Sequence, residues 1–167
     1  YAFDGCENLT KVEGASAVTS IGEEAFGGCT SLNTMPWPSG LTSIGFGAFA
    51  NCNFKKLKLP NNVREIGEYA FCQNTDLRSV ELPSGLETVS ASMFHGCKRL
   101  SSVTLPGSIT TIGNDAFAWC TSLEKIELPE GLTQIGDSAF EYAAITDFSI
   151  PDGIKSIGKN AFGNTVF

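Results

Sequence analysis

A phenylalanine returns every 22 or 23 residues along this chain, at Phe3, Phe26, Phe49, Phe71, Phe94, Phe117, Phe140 and Phe162. Several of these sit in the frame Ala-Phe-x-x-Cys. A fixed period of this size marks one small unit copied and stacked. A unit of about 23 residues cannot bury an apolar face alone and must lay it against its neighbour. The expectation is a solenoid with a long thin core, spanning 1–167 as a single domain of about seven repeats. The chain opens at Tyr1-Ala2-Phe3 and stops five residues past Phe162, inside a repeat at both ends, which reads as a fragment of a longer protein.

One copy shows the grammar of the unit. In Leu123-Glu-Lys-Ile126-Glu-Leu128-Pro129, Ile126 and Leu128 alternate with Lys125 and Glu127, as they must on a strand with one face inward. Pro129 ends the strand, since proline has no N–H to give a ladder. Leu132 and Ile135 then read as inward residues of a second extended stretch. Gly136 reads as a sharp turn at positive φ. Asp137-Ser138-Ala139-Phe140 reads as a single helical turn with polar residues at its start. Equivalent inward strand pairs are Val80/Leu82 and Val103/Leu105, with Met35/Trp37, Leu57/Leu59 and Phe148/Ile150 in variant copies. The turn glycines are Gly22, Gly45, Gly67, Gly113, Gly136 and Gly158, and Ser90 breaks their row. After Phe49 and Phe140 the loop is one residue shorter, and Phe54 and Ile145 replace the usual Leu. One strand per turn predicts a parallel ladder on a concave wall, with one-turn helices on the convex side. Pro36, between Met35 and Trp37, predicts a gap in that ladder.

The formal net charge of -7 argues against nucleic acid as a partner, because phosphate contacts need a basic face. No apolar run approaches the roughly 20 residues of a membrane-spanning helix. The pattern Cys120-Thr-Ser-Leu-Glu-Lys-Ile-Glu-Leu-Pro-Glu-Gly-Leu-Thr-Gln-Ile-Gly-Asp-Ser-Ala-Phe140 closely resembles the BspA-like leucine-rich repeat, also called the Treponema pallidum type. The resemblance covers nearly the whole chain. It departs locally where Gly14-Ala15 replaces the Leu-Pro strand ending and where Pro36 interrupts the second strand. It implies a leucine-rich-repeat solenoid, a secreted or cell-surface location, and an adhesion or binding role with no catalytic residues.

Candidate chemistry is sparse. Cys6, Cys29, Cys52, Cys97 and Cys120 each follow an anchor Phe by three residues, within reach of one another in stacked turns. Asn74 and Ala143 hold the same position, which suits a small buried packing slot and free thiols better than disulfides or a metal. His95, the single histidine, has no triad or ligand partner nearby and reads as an exposed loop residue. The carboxylates before the anchors (Glu23, Glu24 and Asp115) recur at turn starts, where capping explains them better than paired-acid catalysis. The glycines fall one per turn, so no phosphate-binding loop forms. No enzyme activity, cofactor or metal is expected.

The outward strand positions are the most informative surface. They are Lys11 and Glu13, Thr34 and Pro36, Lys56 and Lys58, Ser79 and Glu81, Ser102 and Thr104, Lys125 and Glu127, and Asp147 and Ser149. None is aromatic. Lys55, Lys56 and Lys58, with Arg78 one turn on, form a basic spot suited to an acidic glycan or protein segment. The candidate contact residues are Lys56, Lys58, Arg78, Glu81, Lys125 and Glu127, on a monomer whose open ends can pair end to end. Trp119 and Tyr142 occupy equivalent places in consecutive turns and should stack on the convex side, as a core cover or a contact patch. Three roles stay open: macromolecular recognition by the concave face, a spacer or stalk, and a carbohydrate-binding accessory module using Trp119 and Tyr142.

Overall fold

The structure is a computed structural model that describes residues 1–146 and 149–165. Asp147 and Phe148, which the sequence places on the strand of the seventh turn, lie outside the described residues. The chain winds as a coil of stacked turns, and every strand pairing is parallel. The strands are β1 (Ser20–Ile21), β2 (Ser43–Ile44), β3 (Lys56–Lys58), β4 (Glu65–Ile66), β5 (Ser79–Glu81), β6 (Thr88–Val89), β7 (Ser102–Thr104), β8 (Thr111–Ile112), β9 (Gln134–Ile135) and β10 (Ser156–Ile157). They fall into two rows. The three-residue strands make one sheet in the order β3-β5-β7, and the two-residue strands make two, β1-β2-β4 and β10-β9-β8-β6.

The first row is the expected strand face, and it is shorter than expected. Among the described residues it is hydrogen-bonded as a sheet only from Lys56 to Thr104. Met35-Pro36-Trp37 forms no strand, as the missing proline donor requires. Lys125–Glu127 forms none either, although Ile126 beneath it is buried. Ile150, read as a core residue, is 46% exposed. The second row carries the stretch in which Leu132 and Ile135 were expected to point inward, and both are buried.

The eight anchors form a single file. Successive ring centroids lie 5.1, 5.2, 5.6, 5.9, 5.5, 5.3 and 5.2 Å apart, with ring planes within 12° of parallel. That spacing is the strand-to-strand distance of about 4.8 Å plus a lateral offset, the arrangement ring quadrupoles prefer over a flush sandwich. Phe49, Phe71, Phe94, Phe117 and Phe140 are fully buried, each worth about 1.5–3 kcal/mol of apolar burial. Trp37 packs edge-on against Phe49 at 5.2 Å, so this variant rung seals its core with an indole.

The anchor side of the coil contains no helix among the described residues. Two positions in each turn adopt left-handed backbone, the residues two before and two after the anchor. In the turn of Phe117 these are Asp115 (φ 55°) and Trp119 (φ 61°). Alternate amides then face different ways. Asp115, Phe117 and Trp119 N–H donate to the carbonyls of Asp137, Ala139 and Glu141 in the next turn. Ala116, Ala118 and Cys120 N–H donate three residues back within their own turn. The polar residues ahead of the anchors therefore cap no helix. Instead Asn114 and Asp137 Oδ1 accept from the N–H groups of Asp137 (2.9 Å) and Lys159 (2.7 Å) one turn on.

The turn glycines also differ from expectation. Gly67 and Gly136 do not have positive φ. They are glycines because the preceding turn lies too close. A Cβ on Gly136 would sit 2.6 Å from Asn114 N, and one on Gly67 would sit 2.5 Å from Phe46 N. The glycine N–H donates back one turn, Gly136 to Ile112 O and Gly113 to Val89 O. At Ser90 the side-chain hydroxyl donates to Ile66 O instead. The second strand row is split there, between β4 and β6.

Candidate functional site

Within β3-β5-β7 the register aligns Lys56 with Ser79 and Ser102, and Lys58 with Glu81 and Thr104. Leu57 and Val80 point into the core, so their flanking residues must point out. Lys58 Nζ lies 2.9 Å from Glu81 Oε1, with side chains 75% and 54% exposed. An exposed pair of this kind stabilises by at most about 1 kcal/mol and is weakened by salt. It does neutralise Lys58. Lys125 pairs with Glu127 at 3.6 Å, and Lys11 with Glu13. Among the described residues, Lys55, Lys56 and Arg78 make no ion pair. The basic spot is therefore narrower than the sequence suggests. The Arg78 backbone is fixed, its N–H donating to Lys55 O at 2.9 Å and its carbonyl accepting from Ser101 and Ser102. A groove of about 350 Å³ runs between Ser101–Leu105 and Lys125–Glu127 on the same face.

The cysteine row is structural. Cys29, Cys52, Cys97 and Cys120 are buried, and each Sγ donates to a Phe carbonyl of the preceding turn, at 3.2, 3.2, 3.4 and 3.3 Å. Burial pushes the Cys52 thiol up to about 12, and raises those of Cys97 and Cys120 well above the ordinary thiol value. Such thiols are poor nucleophiles and poor metal ligands. Among the described residues no group of three or more His, Cys, Asp or Glu can hold a metal ion. His95 is half-buried rather than exposed. Its backbone N–H donates to Ser92 O and its carbonyl accepts from Gln73 N–H.

Exposed aromatic rings lie on the anchor side. Trp119 and Tyr142 stack with centroids 4.1 Å apart and planes 22° apart, and are 44% and 38% exposed. They belong to a row, two residues after each anchor, that also holds Gly5, Gly28, Asn51, Gln73, Gly96 and Asn164, all left-handed. A second exposed pair, Phe46 and Tyr69, lies with centroids 5.3 Å apart. Sequence reading missed it, although an aromatic just before an anchor, where other turns carry polar residues, is the signal.

The family's sequence model, the BspA type leucine rich repeat region, matches residues 1–118 and 42–166 in six copies. The chain belongs to this family. Solved structures of leucine-rich repeat proteins agree in fold. A leucine-rich repeat protein from Bacteroides ovatus superposes with a TM-score of 0.91 at 36% identity, over 94% of this chain and 41% of that one. One from Eubacterium ventriosum gives 0.80 at 28% identity, over 90% of this chain and 41% of that one. The T. pallidum leucine rich repeat protein gives 0.69 at 35% identity, over 73% of this chain and 57% of that one. The chain thus spans about two fifths of the first two proteins and under two thirds of the third. A search of curated proteins finds no match.

Proposed function

We propose that this BspA-type repeat is a non-catalytic recognition module of a secreted or cell-surface protein, and that it engages an acidic protein segment or carboxylate-bearing glycan through its strand face. The observation that carries this reading is the β3-β5-β7 sheet. It presents Lys56 and Arg78, which make no ion pair among the described residues, on a hydrogen-bonded backbone, next to the Lys58–Glu81 and Lys125–Glu127 pairs. A preset ladder loses little conformational entropy on docking. Charge complementarity then selects the partner and speeds encounter. The buried thiols of Cys52, Cys97 and Cys120 hold their protons and are poor nucleophiles. The extracellular placement is supported by the family resemblance.

Surface plasmon resonance against immobilised hyaluronan and polyglutamate tests the reading. Binding that falls with salt, and that is lost in Lys56→Glu/Lys58→Glu/Arg78→Glu with the melting temperature unchanged, supports it. No binding to either probe, or an affinity indifferent to the three reversals, would count against it and favour a spacer.

A further inference from the structure

Trp119 and Tyr142 stand where the backbone least favours them. Both are left-handed, at φ 61° and 58°, a region in which bulky side chains are outliers. Five of the other six positions of their row are Gly or Asn, residue types that fit this conformation more readily, and the sixth is Gln73. Nor are the rings needed as a lid. At the Gly96 rung, which the Gln73 amide rather than an aromatic ring overlies, Phe94 and Cys97 beneath are already fully buried. Two rings kept exposed, against backbone preference and without a packing need, point to a contact.

The geometry defines the contact. Each ring hides one face against the other at 4.1 Å. The rung on the N-terminal side of Trp119 is Gly96, a step with no side chain of its own beside the second face of the indole. Beyond that step stands Gln73, whose amide reaches over it: Gln73 Nε2 lies 2.5 Å from where a Cβ on Gly96 would be. Beside Tyr142, Asn164 Nδ2 donates to Glu141 Oε1 at 3.4 Å. An indole face flanked only by a movable primary amide, with hydrogen-bonding groups at the rim, suits a ring with an apolar C–H face and a hydroxyl edge.

We infer that the Trp119–Tyr142 pair, with Gly96 as floor and Gln73 as polar wall, is a binding site for a neutral pyranose of a glycan chain. The Gln73 amide swings off Gly96 to pair with ring hydroxyls, and the pyranose stacks on the face of Trp119 that this uncovers. An apolar protein partner fits less well, because the two rings cover each other and leave two separate outer faces rather than one flat patch. The site is independent of the strand face, so either can fail without the other.

Trp37→Phe leaves Trp119 as the one indole reporter. It is titrated with cello-, xylo- and manno-oligosaccharides and with N-acetylglucosamine oligomers, and calorimetry on the otherwise unaltered chain covers the other variants. The expected result is quenching and a blue shift of Trp119 by at least one oligosaccharide. Affinity should weaken about tenfold or more in Gln73→Ala. The calorimetric heat should vanish in Trp119→Asn while the melting temperature holds or rises, because Asn is at ease in this backbone region. Silence across the panel, binding that survives Trp119→Asn, or a Trp119 that responds only to proteins would overturn the proposal.

Discussion

Asn74 is where a side chain repairs a defect in the repeat, and replacing it puts numbers on that repair. In most turns the Leu that opens the strand donates its N–H to the carbonyl of the residue in the cysteine slot, as Leu32 does to Cys29 and Leu100 to Cys97. The turn after Phe49 is one residue short, and Phe54 N–H donates instead to Asn74 Oδ1 at 3.4 Å. Asn74 Nδ2 donates to Phe49 O at 2.8 Å and Phe71 O at 2.9 Å, taking over the work that thiols do in neighbouring rungs. Asn74 is fully buried, and Phe49 O has no other donor among the described residues. Asn74→Ala removes these bonds and strands a donor and an acceptor in the core. At about 1 kcal/mol net per bond, with a surcharge for the buried orphans, the loss is about 2–4 kcal/mol. For a chain of this length that lowers the melting temperature by roughly 4–16 °C. Asn74→Cys restores a thiol donor to Phe49 O but offers Phe54 no acceptor, so it should cost about 1–2 kcal/mol. Urea denaturation followed by circular dichroism gives the energies, and amide exchange at Phe54 gives the local readout. An Asn74→Ala variant within about 0.5 kcal/mol of the parent, with Phe54 protection unchanged, would refute the reasoning.

Phe94→Ala empties a fully buried site between two stacked rings and should cost about 3–5 kcal/mol, whereas Phe3→Ala, at a ring 44% exposed with one neighbour in the file, should cost under about 1.5 kcal/mol in the same denaturation assay. Cys52, whose thiol burial moves from 9.0 to about 12, holds its proton in the fold longer than in the unfolded chain. Its contribution to stability is therefore intact below its ordinary value and declines as pH rises through that window. Alkylation at pH 8 should modify exposed Cys6 and leave Cys52, Cys97 and Cys120 untouched until denaturant is added, as mass spectrometry would show.

The coil was legible because its signal is arithmetic: the spacing of the anchors fixes the stacking, and Ile126 or Leu57 must then point inward. The anchor side was not legible in the same way. Asp137-Ser138-Ala139-Phe140 has the composition of a capped helical turn. What decides against a helix is non-local, the carbonyls of the next turn at the right height to accept from Ser138 and Phe140. Gly136 was recognised as necessary for the wrong cause, since close approach of a neighbouring turn leaves no mark in a single repeat. The basic spot shrank because Lys58 and Glu81 lie 23 positions apart yet face each other across the sheet. Trp119 and Tyr142 were found by their equivalent places in the repeat. Phe46 and Tyr69, at slightly different offsets from their anchors, escaped the same comparison.

The central claim is that neighbouring turns are joined by backbone hydrogen bonds on the anchor side as well as through strands. Through-hydrogen-bond scalar couplings measured by NMR on labelled protein address it directly. The account predicts couplings from the amides of Asp115, Phe117 and Trp119 to the carbonyls of Asp137, Ala139 and Glu141. Couplings from those amides to carbonyls four residues back in their own turn would mean helices stand there, and would contradict it.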